Sequence, residues 1–164
     1  MLCQRFADSS SFLVDSAERA LQQMMDGVSP SRSLAGLLTA AEHRTACVRG
    51  KVASLLYLLW YQRVRELRLS CIAGGKEQET LKMKISKLIS DQTPEARTAS
   101  RNIVRFLLRE GVVTRCEWEQ HMTADQLDKI LSQSMSAPTA IGGSSGSGSG
   151  SGSLTEAKIG RAHV

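Results

Sequence analysis

Nearly every residue from Val52 to Trp60 is apolar, and this stretch limits what the chain can fold into. A helix that is apolar on almost all sides must be covered by other elements. With Tyr61 the run reaches about 10 residues, half of the roughly 20 that a transmembrane helix needs. The sequence therefore predicts a buried central helix and no membrane span.

The apolar pattern around this stretch has helical spacing. Leu34, Leu37 and Leu38 begin a stripe that continues to about Leu69. Taken literally, the pattern predicts one helix of roughly 40 residues, although the mean length is about 11–12. Because glycine in a helix interior costs about 1 kcal/mol, Gly50 is the expected break or kink.

Capping residues, prolines and glycines predict where the other helices begin and end. Residues 1–8 are expected to be a frayed lead-in, and Phe12 to Met25 form the first helix after the candidate caps Asp8, Ser9 and Ser10. Serine or threonine before proline is typical of a helix start. This signal occurs at Ser29-Pro30 and Thr93-Pro94, and glycines end helices at Gly27, Gly74-Gly75 and Gly111.

Two capping boxes predict short helices near the end of the domain, one at Thr114 with Glu117 and one at Thr123 with Gln126. No alternating run indicates a strand. We therefore expect an all-α fold over residues 1–138, a helical bundle or short stack of helix pairs with about five to six helices.

Helical periodicity also predicts which side chains face the core. The helix from Glu77 to Ser90 is expected to turn its lysines outward, and the next helix is expected to bury an alanine-rich face. The last helix is expected to bury three aliphatic residues. The residues concerned are Lys82, Lys84 and Lys87, then Ala96, Ala99, Ile103, Phe106 and Leu107, then Leu127, Ile130 and Leu131.

The four cysteines are widely spaced and include no CxxC pair. Disulfide scaffolds are small and dense in cysteine, so reduced thiols are expected. There is no basic region followed by an apolar run and a cleavage site, so no signal peptide is expected. These features predict an intracellular protein of the cytoplasm, cytoskeleton or nucleus.

The net charge of +5 is distributed unevenly. Residues 44–109 hold 14 Lys and Arg against 5 Asp and Glu, whereas the rest hold 7 against 11. A basic middle can attract nucleic acid, an acidic partner or anionic lipid. The alternative is a set of solvated helix faces that are neutralised locally.

The composition changes abruptly after Pro138. Residues 142–153 are twelve consecutive Gly and Ser residues, a composition typical of an engineered flexible linker. We predict that residues 139–153 form this linker and that residues 154–164 are a partner-derived peptide held near the domain. Tethering of this kind raises a weak ligand to a millimolar effective concentration. A vector-derived tail or the start of a truncated second subunit is the alternative.

The peptide contains apolar residues that suit a groove between helices. Its predicted anchors are Leu154, Ile159 and Val164, with Arg161 as a polar clamp. Whether it binds its own domain or a neighbour, in a tail-swapped dimer, is open. Tyrosine and tryptophan are common anchors of binding sites and also ordinary core residues. The candidate groove residues are Tyr57, Trp60, Tyr61 and Trp118.

Four arginines recur every four residues and predict a basic ridge along one helix. The ridge consists of Arg97, Arg101, Arg105 and Arg109. A guanidinium pairs bidentately with phosphate or carboxylate, so the ridge is a candidate nucleic-acid contact. It is also what an ordinary solvated helix face contains.

No pattern in the sequence assembles an active site, a metal centre or a cofactor site. His43 and Cys47 lie four residues apart, but no third ligand or orienting carboxylate accompanies them. No phosphate-binding glycine motif is present. We therefore expect a binding module for a short segment of another protein, as in a scaffold or adaptor, rather than an enzyme. The alternatives are a basic helical nucleic-acid-binding domain and the terminal piece of a helical scaffold.

Overall fold

A computed structural model describes residues 2–73 and 75–134, and this part of the chain is all-α, as predicted. It contains no strand. A short 3-10 helix spans Leu2–Ala7, and seven α-helices follow: α1 Ser11–Gly27, α2 Pro30–Ala40, α3 Ala46–Ala73, α4 Gly75–Ile89, α5 Pro94–Arg109, α6 Arg115–Glu119 and α7 Ala124–Leu131. The Gly/Ser stretch and the segment 154–164 lie outside the described residues.

Helix α3 is the centre of the fold, as its apolar composition predicts. From Val52 to Trp60 every side chain but that of Ser54 is buried. The 3-10 helix, α2, α4 and α5 all pack against α3. The helix has one non-helical residue, Arg63 (φ −121°, ψ 27°), at which its direction changes. Within the described residues no helix has both the length and the apolar character needed to cross a bilayer.

The predicted helix break at Gly50 is wrong, because the chain breaks earlier, between Ala40 and Ala46. Polar groups satisfy the backbone of that loop: the Arg49 guanidinium donates to the carbonyls of His43 and Arg44 at 2.9 and 3.0 Å. Gly50 instead lies inside α3. A Cβ there would be 3.0 Å from the Glu95 carboxylate, so the missing side chain allows α5 to approach closely.

The N-terminal residues are not the frayed lead-in that the sequence suggests. The 3-10 helix places Phe6 in the core. The Cys47 thiol donates to the Phe6 carbonyl at 3.2 Å. A single large aromatic side chain thus holds a segment that has no apolar periodicity, because its burial stabilises the fold by about 1.5–3 kcal/mol.

Two of the three α4 lysines that were expected to face outward do not do so. Lys82 is only 3% exposed, and its ammonium lies 2.8 Å from Glu79 and 3.8 Å from Glu117, which links α4 to α6. Lys84 is also largely buried, whereas Lys87 is exposed. Leu131 is 41% exposed, so the prediction that it faces the core is wrong as well.

The helices begin where the sequence predicts, but not all of them have a side-chain capping hydrogen bond. Ser10, Ser29 and Thr93 precede α1, α2 and α5 without a side-chain capping hydrogen bond. By contrast, both predicted capping boxes are present. The Thr114 and Thr123 side chains accept hydrogen bonds from the backbone N–H groups of Glu117 and Gln126. In turn, the side chains of Glu117 and Gln126 accept from the backbone N–H groups of Thr114 and Thr123. Helices this short need such caps, because nucleation is unfavourable.

Asp91 joins α3, the loop after α4 and the start of α5. One of its carboxylate oxygens accepts from the backbone and hydroxyl of Thr93, both at 2.9 Å. The other accepts from Arg49 Nε at 2.6 Å. Burial raises the pKa of the Asp91 carboxyl, but the hydrogen bonds from Arg49 and Thr93 outweigh it and hold the pKa below its ordinary value.

We predict that Asp91→Asn lowers the free energy of unfolding at pH 7 by about 1–3 kcal/mol, because Arg49 loses a nearly buried anionic partner. A depressed folded-state pKa stabilises the fold above the unfolded value of about 3.9 and loses that stabilisation as pH falls through the folded value. The variant should therefore lose less stability than the parent between pH 5 and pH 3. Urea unfolding across this range, with Asp15→Asn on α1 as the control, measures both effects. Equal acid sensitivity in all three proteins would contradict the role of Asp91.

Candidate functional site

Residues from two separately predicted groups meet where α3 and α5 pack together. Tyr57 and Tyr61 of the candidate groove are four residues apart and share one face of α3. Phe106 and Arg109 are three residues apart and share one face of α5. The crossing of the two helices brings these faces together.

The three aromatic rings form one cluster. The Tyr61 and Phe106 ring centroids are 5.9 Å apart, and each lies about 6 Å from Tyr57, at 6.3 and 6.4 Å. Both contacts of Tyr57 are edge-to-face, with interplanar angles of 68° and 76°. Such contacts contribute about 0.5–1.5 kcal/mol beyond the area buried and fix the ring orientations.

An exposed arginine covers one edge of this cluster. The Arg109 guanidinium lies 5.3 Å from the Phe106 ring centroid, a cation–π distance. Its Nε donates to the Glu110 carboxylate at 3.1 Å. From α3, Arg68 donates to the Glu110 carbonyl at 3.3 Å. An exposed arginine of α5 therefore lies against the aromatic cluster, and an arginine of α3 contacts the C-terminal end of α5.

We call Tyr57, Tyr61, Phe106 and Arg109 the aromatic–arginine surface. Its exposure is graded: Tyr57 and Phe106 are buried, Tyr61 is 47% exposed, and the Arg109 side chain is mostly exposed. A half-exposed ring that is already oriented by buried rings can cover an apolar group at little conformational cost. The neighbouring guanidinium can donate hydrogen bonds to a carboxylate or a carbonyl oxygen.

The environment of Tyr57 disfavours its ionised form. Burial, and to a lesser degree the nearby Tyr61, raise the pKa of the Tyr57 phenol, although the charges of Arg109 and Arg105 act in the opposite direction. The phenol therefore remains neutral throughout the physiological range. Its role in the cluster is to pack and to orient Tyr61.

The two tryptophans of the candidate groove do not reach this surface. Trp60 and Trp118 are fully buried, and their indole N–H groups have no hydrogen-bond partner among the described residues. Trp60 precedes Tyr61, but one residue along a helix turns the side chain by 100° and directs it inward. Both tryptophans therefore stabilise the core and cannot contact a ligand in this conformation.

The predicted basic ridge is not one exposed row. Arg97 donates to the carbonyls of Asp91 and Gln92, both at 2.8 Å, and so belongs to the joint at the start of α5. Arg105 is buried, Arg101 is half-buried, and Arg109 is exposed. The four side chains thus have different roles because α5 packs against α3, α4 and α7.

Arg105 connects α5 to the end of the described chain. It donates to the Gln133 carbonyl at 2.7 Å and to the Ser134 carbonyl. Arg105 and Arg109 are one turn apart, which is about 6 Å along the helix. The chain therefore leaves the described domain close to the aromatic–arginine surface. The predicted anchors Leu154, Ile159, Arg161 and Val164 lie outside the described residues and stay predictions.

Other reactive side chains are used locally. His43 accepts from the Thr45 backbone at 3.1 Å, and His121 lies 3.0 Å from Glu79. Cys3, Cys47 and Cys116 form no disulfide. Within residues 2–73 and 75–134, no three His, Cys, Asp or Glu side chains are gathered as a metal site. Of the parts of the surface, only Phe106 was not a sequence-based candidate for binding; its i,i+3 spacing to Arg109 is the signal that could have identified it.

Comparison with protein families, with curated proteins and with solved structures gives no match for this chain. The geometry of the site is therefore the basis for a functional proposal.

Alkaline titration should detect the raised pKa of the Tyr57 phenol. We predict that near-ultraviolet absorbance shows a tyrosinate step above the ordinary pKa of about 10, that Tyr57→Phe removes it, and that Tyr61→Phe retains it. A raised folded-state pKa stabilises the fold below the unfolded value and loses that stabilisation as pH rises through the folded value. Stability should thus decline less at high pH in Tyr57→Phe. A late step that survives Tyr57→Phe would show that burial of this phenol is wrong.

Proposed function

We propose that this chain is a helical protein-binding module whose aromatic–arginine surface takes a short apolar segment, and that residues 154–164 are such a segment attached in cis. The half-exposed ring of Tyr61, packed on buried aromatic rings in a cluster that also holds an exposed arginine, is the observation that carries the proposal. Tyrosine and arginine are among the residues that contribute most to protein interfaces.

The chemistry of the segment suits this surface. Leu154, Ile159 and Val164 supply apolar groups that can cover the remaining exposed face of Tyr61. Glu156 is the single acidic residue of the segment and can approach Arg109. Coverage of apolar area contributes about 25 cal/mol per Å² before the entropy of ordering the segment is subtracted. Binding of the free segment should therefore be weak.

The length of the connection permits docking in cis. Nineteen residues, 135–153, separate Ser134 from Leu154. A chain of this length spans at most about 65 Å when extended. Because Ser134 is bonded to Arg105, one helical turn from Arg109, the segment needs only a small part of this reach. A weak interaction becomes populated at the effective concentration that such a connection provides.

The same observations give less support to nucleic-acid binding. A phosphate-binding ridge needs several exposed cations in register. Arg97 and Arg105 instead donate to backbone carbonyls within the domain. Of the four ridge arginines, Arg109 is the exposed one, which is enough to orient an acidic group and too few for a track along a nucleic-acid backbone.

The proposal predicts that removal of everything after Pro138 lowers the melting temperature. The expected decrease is about 3–6 °C if the effective concentration of the segment is about tenfold above its dissociation constant. Added free peptide of sequence 154–164 should restore the loss. Differential scanning calorimetry of the full and truncated chains, at several protein concentrations, measures it. A melting temperature that rises with the concentration of the full chain indicates docking between molecules.

The surface itself is tested by Tyr61→Ala, with Met83→Ala on α4 as a matched control because its side chain is 42% exposed. In the truncated domain, peptide binding measured by fluorescence anisotropy should weaken at least tenfold for Tyr61→Ala, about 1.4 kcal/mol, and stay unchanged for Met83→Ala. Equal affinity of the two variants would show that Tyr61 is not part of the binding site. No effect of truncation or peptide on melting would exclude residues 154–164 as a ligand.

A further inference from the structure

A second potential binding site lies on another part of the domain, between the loop after α2, the first turns of α3 and the end of α4. It is a pocket of about 300 Å³. Its floor is apolar and its walls carry three cations and two carboxylates. The lining residues are Ala41, Glu42, Arg49, Lys84, Lys87, Leu88 and Asp91.

One wall contains a lysine that needs an anion. The Lys84 side chain is only 12% exposed. Its ammonium donates to the Leu38 carbonyl at 2.8 Å and lies 3.2 Å from the Glu42 carboxylate. Because a largely buried ammonium is costly without a counter-charge, Lys84 maintains a demand for a carboxylate at this position.

The counter-charge of Lys84 is the carboxylate of a residue whose side chain is half-exposed. Glu42 lies in the loop after α2, and its side chain is 50% exposed. It bridges Lys84 at 3.2 Å and Lys87 at 3.3 Å. The hydrogen bonds from Lys84 and Lys87 lower the pKa of Glu42, so the bridging group is an anion at neutral pH. Because the Glu42 side chain is half-exposed, its rotation into solvent would free the position between the lysines.

The opposite wall is fixed. Arg49 and Asp91 form an ion pair of 2.6 Å, with side chains that are 19% and 8% exposed. Arg49 also donates from Nη1 to two loop carbonyls, so its Nε and Nη1 are already engaged. This wall bounds the pocket, and the exchangeable position is the one between Lys84 and Lys87.

We propose that this pocket binds a carboxylate carried on a short aliphatic chain, which replaces the Glu42 carboxylate between Lys84 and Lys87 while its carbon atoms lie against Leu88 and Ala41. The position between the lysines holds one carboxylate before and after the exchange, while the Glu42 carboxylate moves into solvent. The volume fits a group of roughly ten heavy atoms or fewer, given about 30 Å³ for each water molecule of liquid. Both a small dicarboxylic acid and the glutamate side chain of a partner protein have this chemistry.

Glu42 is then a built-in competitor. The apparent affinity for an external carboxylate is reduced by the fraction of molecules in which Glu42 leaves the position open. Removal of its charge should therefore tighten binding, which is the opposite of what loss of a ligand-contacting residue causes. Because loss of any negative charge also strengthens the general attraction of anions to a basic protein, the proposal requires in addition that the gain depends on Lys87 and not on Lys76.

The test is a titration of the full chain with glutarate, in a buffer without carboxylates, followed by ¹⁵N–¹H chemical shifts. Glu42→Gln should lower the dissociation constant by about fivefold or more, as expected if Glu42 holds the position in at least four molecules out of five. Lys87→Gln, added to Glu42→Gln, should reverse the gain. Lys76→Gln, an exposed lysine on the same helix, is the control and should change nothing.

A Glu42→Gln chain that binds glutarate no more tightly than the parent would overturn the proposal. So would an equal loss of affinity in Lys87→Gln and Lys76→Gln, because this indicates unspecific charge attraction. A second arm replaces glutarate with a capped Gly-Glu-Gly peptide. Tighter binding of the peptide identifies a partner's side chain as the source of the carboxylate, and tighter binding of glutarate identifies a small acid. Circular dichroism confirms that each variant is folded.

Discussion

Burial of α3 from Val52 to Trp60 is the constraint on which the rest of the structure depends. One helix that is apolar all round requires neighbours on every side, and the 3-10 helix, α2, α4 and α5 supply them. Each neighbour therefore needs only one apolar face. The functional candidates arise where this coverage ends: Tyr61 directly follows the buried stretch and is half-exposed, and its orientation is inherited from buried Tyr57 and Phe106.

Much of the fold could be predicted from local signals, because these act within a few residues. Proline at Pro30 and Pro94 and the two capping boxes located helix starts correctly. Gly50 was misread since its reason is tertiary: it leaves room for Glu95 of α5. The true break, between Ala40 and Ala46, is stabilised by Arg49, whose contacts no periodicity reveals. Lys82 was misplaced because its buried charge depends on carboxylates from α4 and α6.

The site was less predictable than the fold. Residue type alone selected Tyr57 and Tyr61, and it equally selected Trp60 and Trp118, which are core residues. Arg109 was selected by the four-residue spacing of the arginines. Which of these side chains share a surface depends on how α3 crosses α5, and that angle is not encoded in either helix alone. The pocket beside Lys84 was not foreseen for the same reason, because its walls come from three separate parts of the chain.

The smallness of α6 and α7 has a consequence for the dynamics of the whole chain. These helices have 5 and 8 residues, and their main hold on the core is through Trp118, Leu127 and Ile130. Such a unit can open as a local foldon while α3 and its neighbours stay intact. Opening would break the hydrogen bond from Arg105 to the Ser134 carbonyl. The connection between the rest of the domain and residues 154–164 would then be longer. If residues 154–164 dock as proposed, the free energy of this sub-global opening contributes to the balance between docking in cis and exchange of tails between chains.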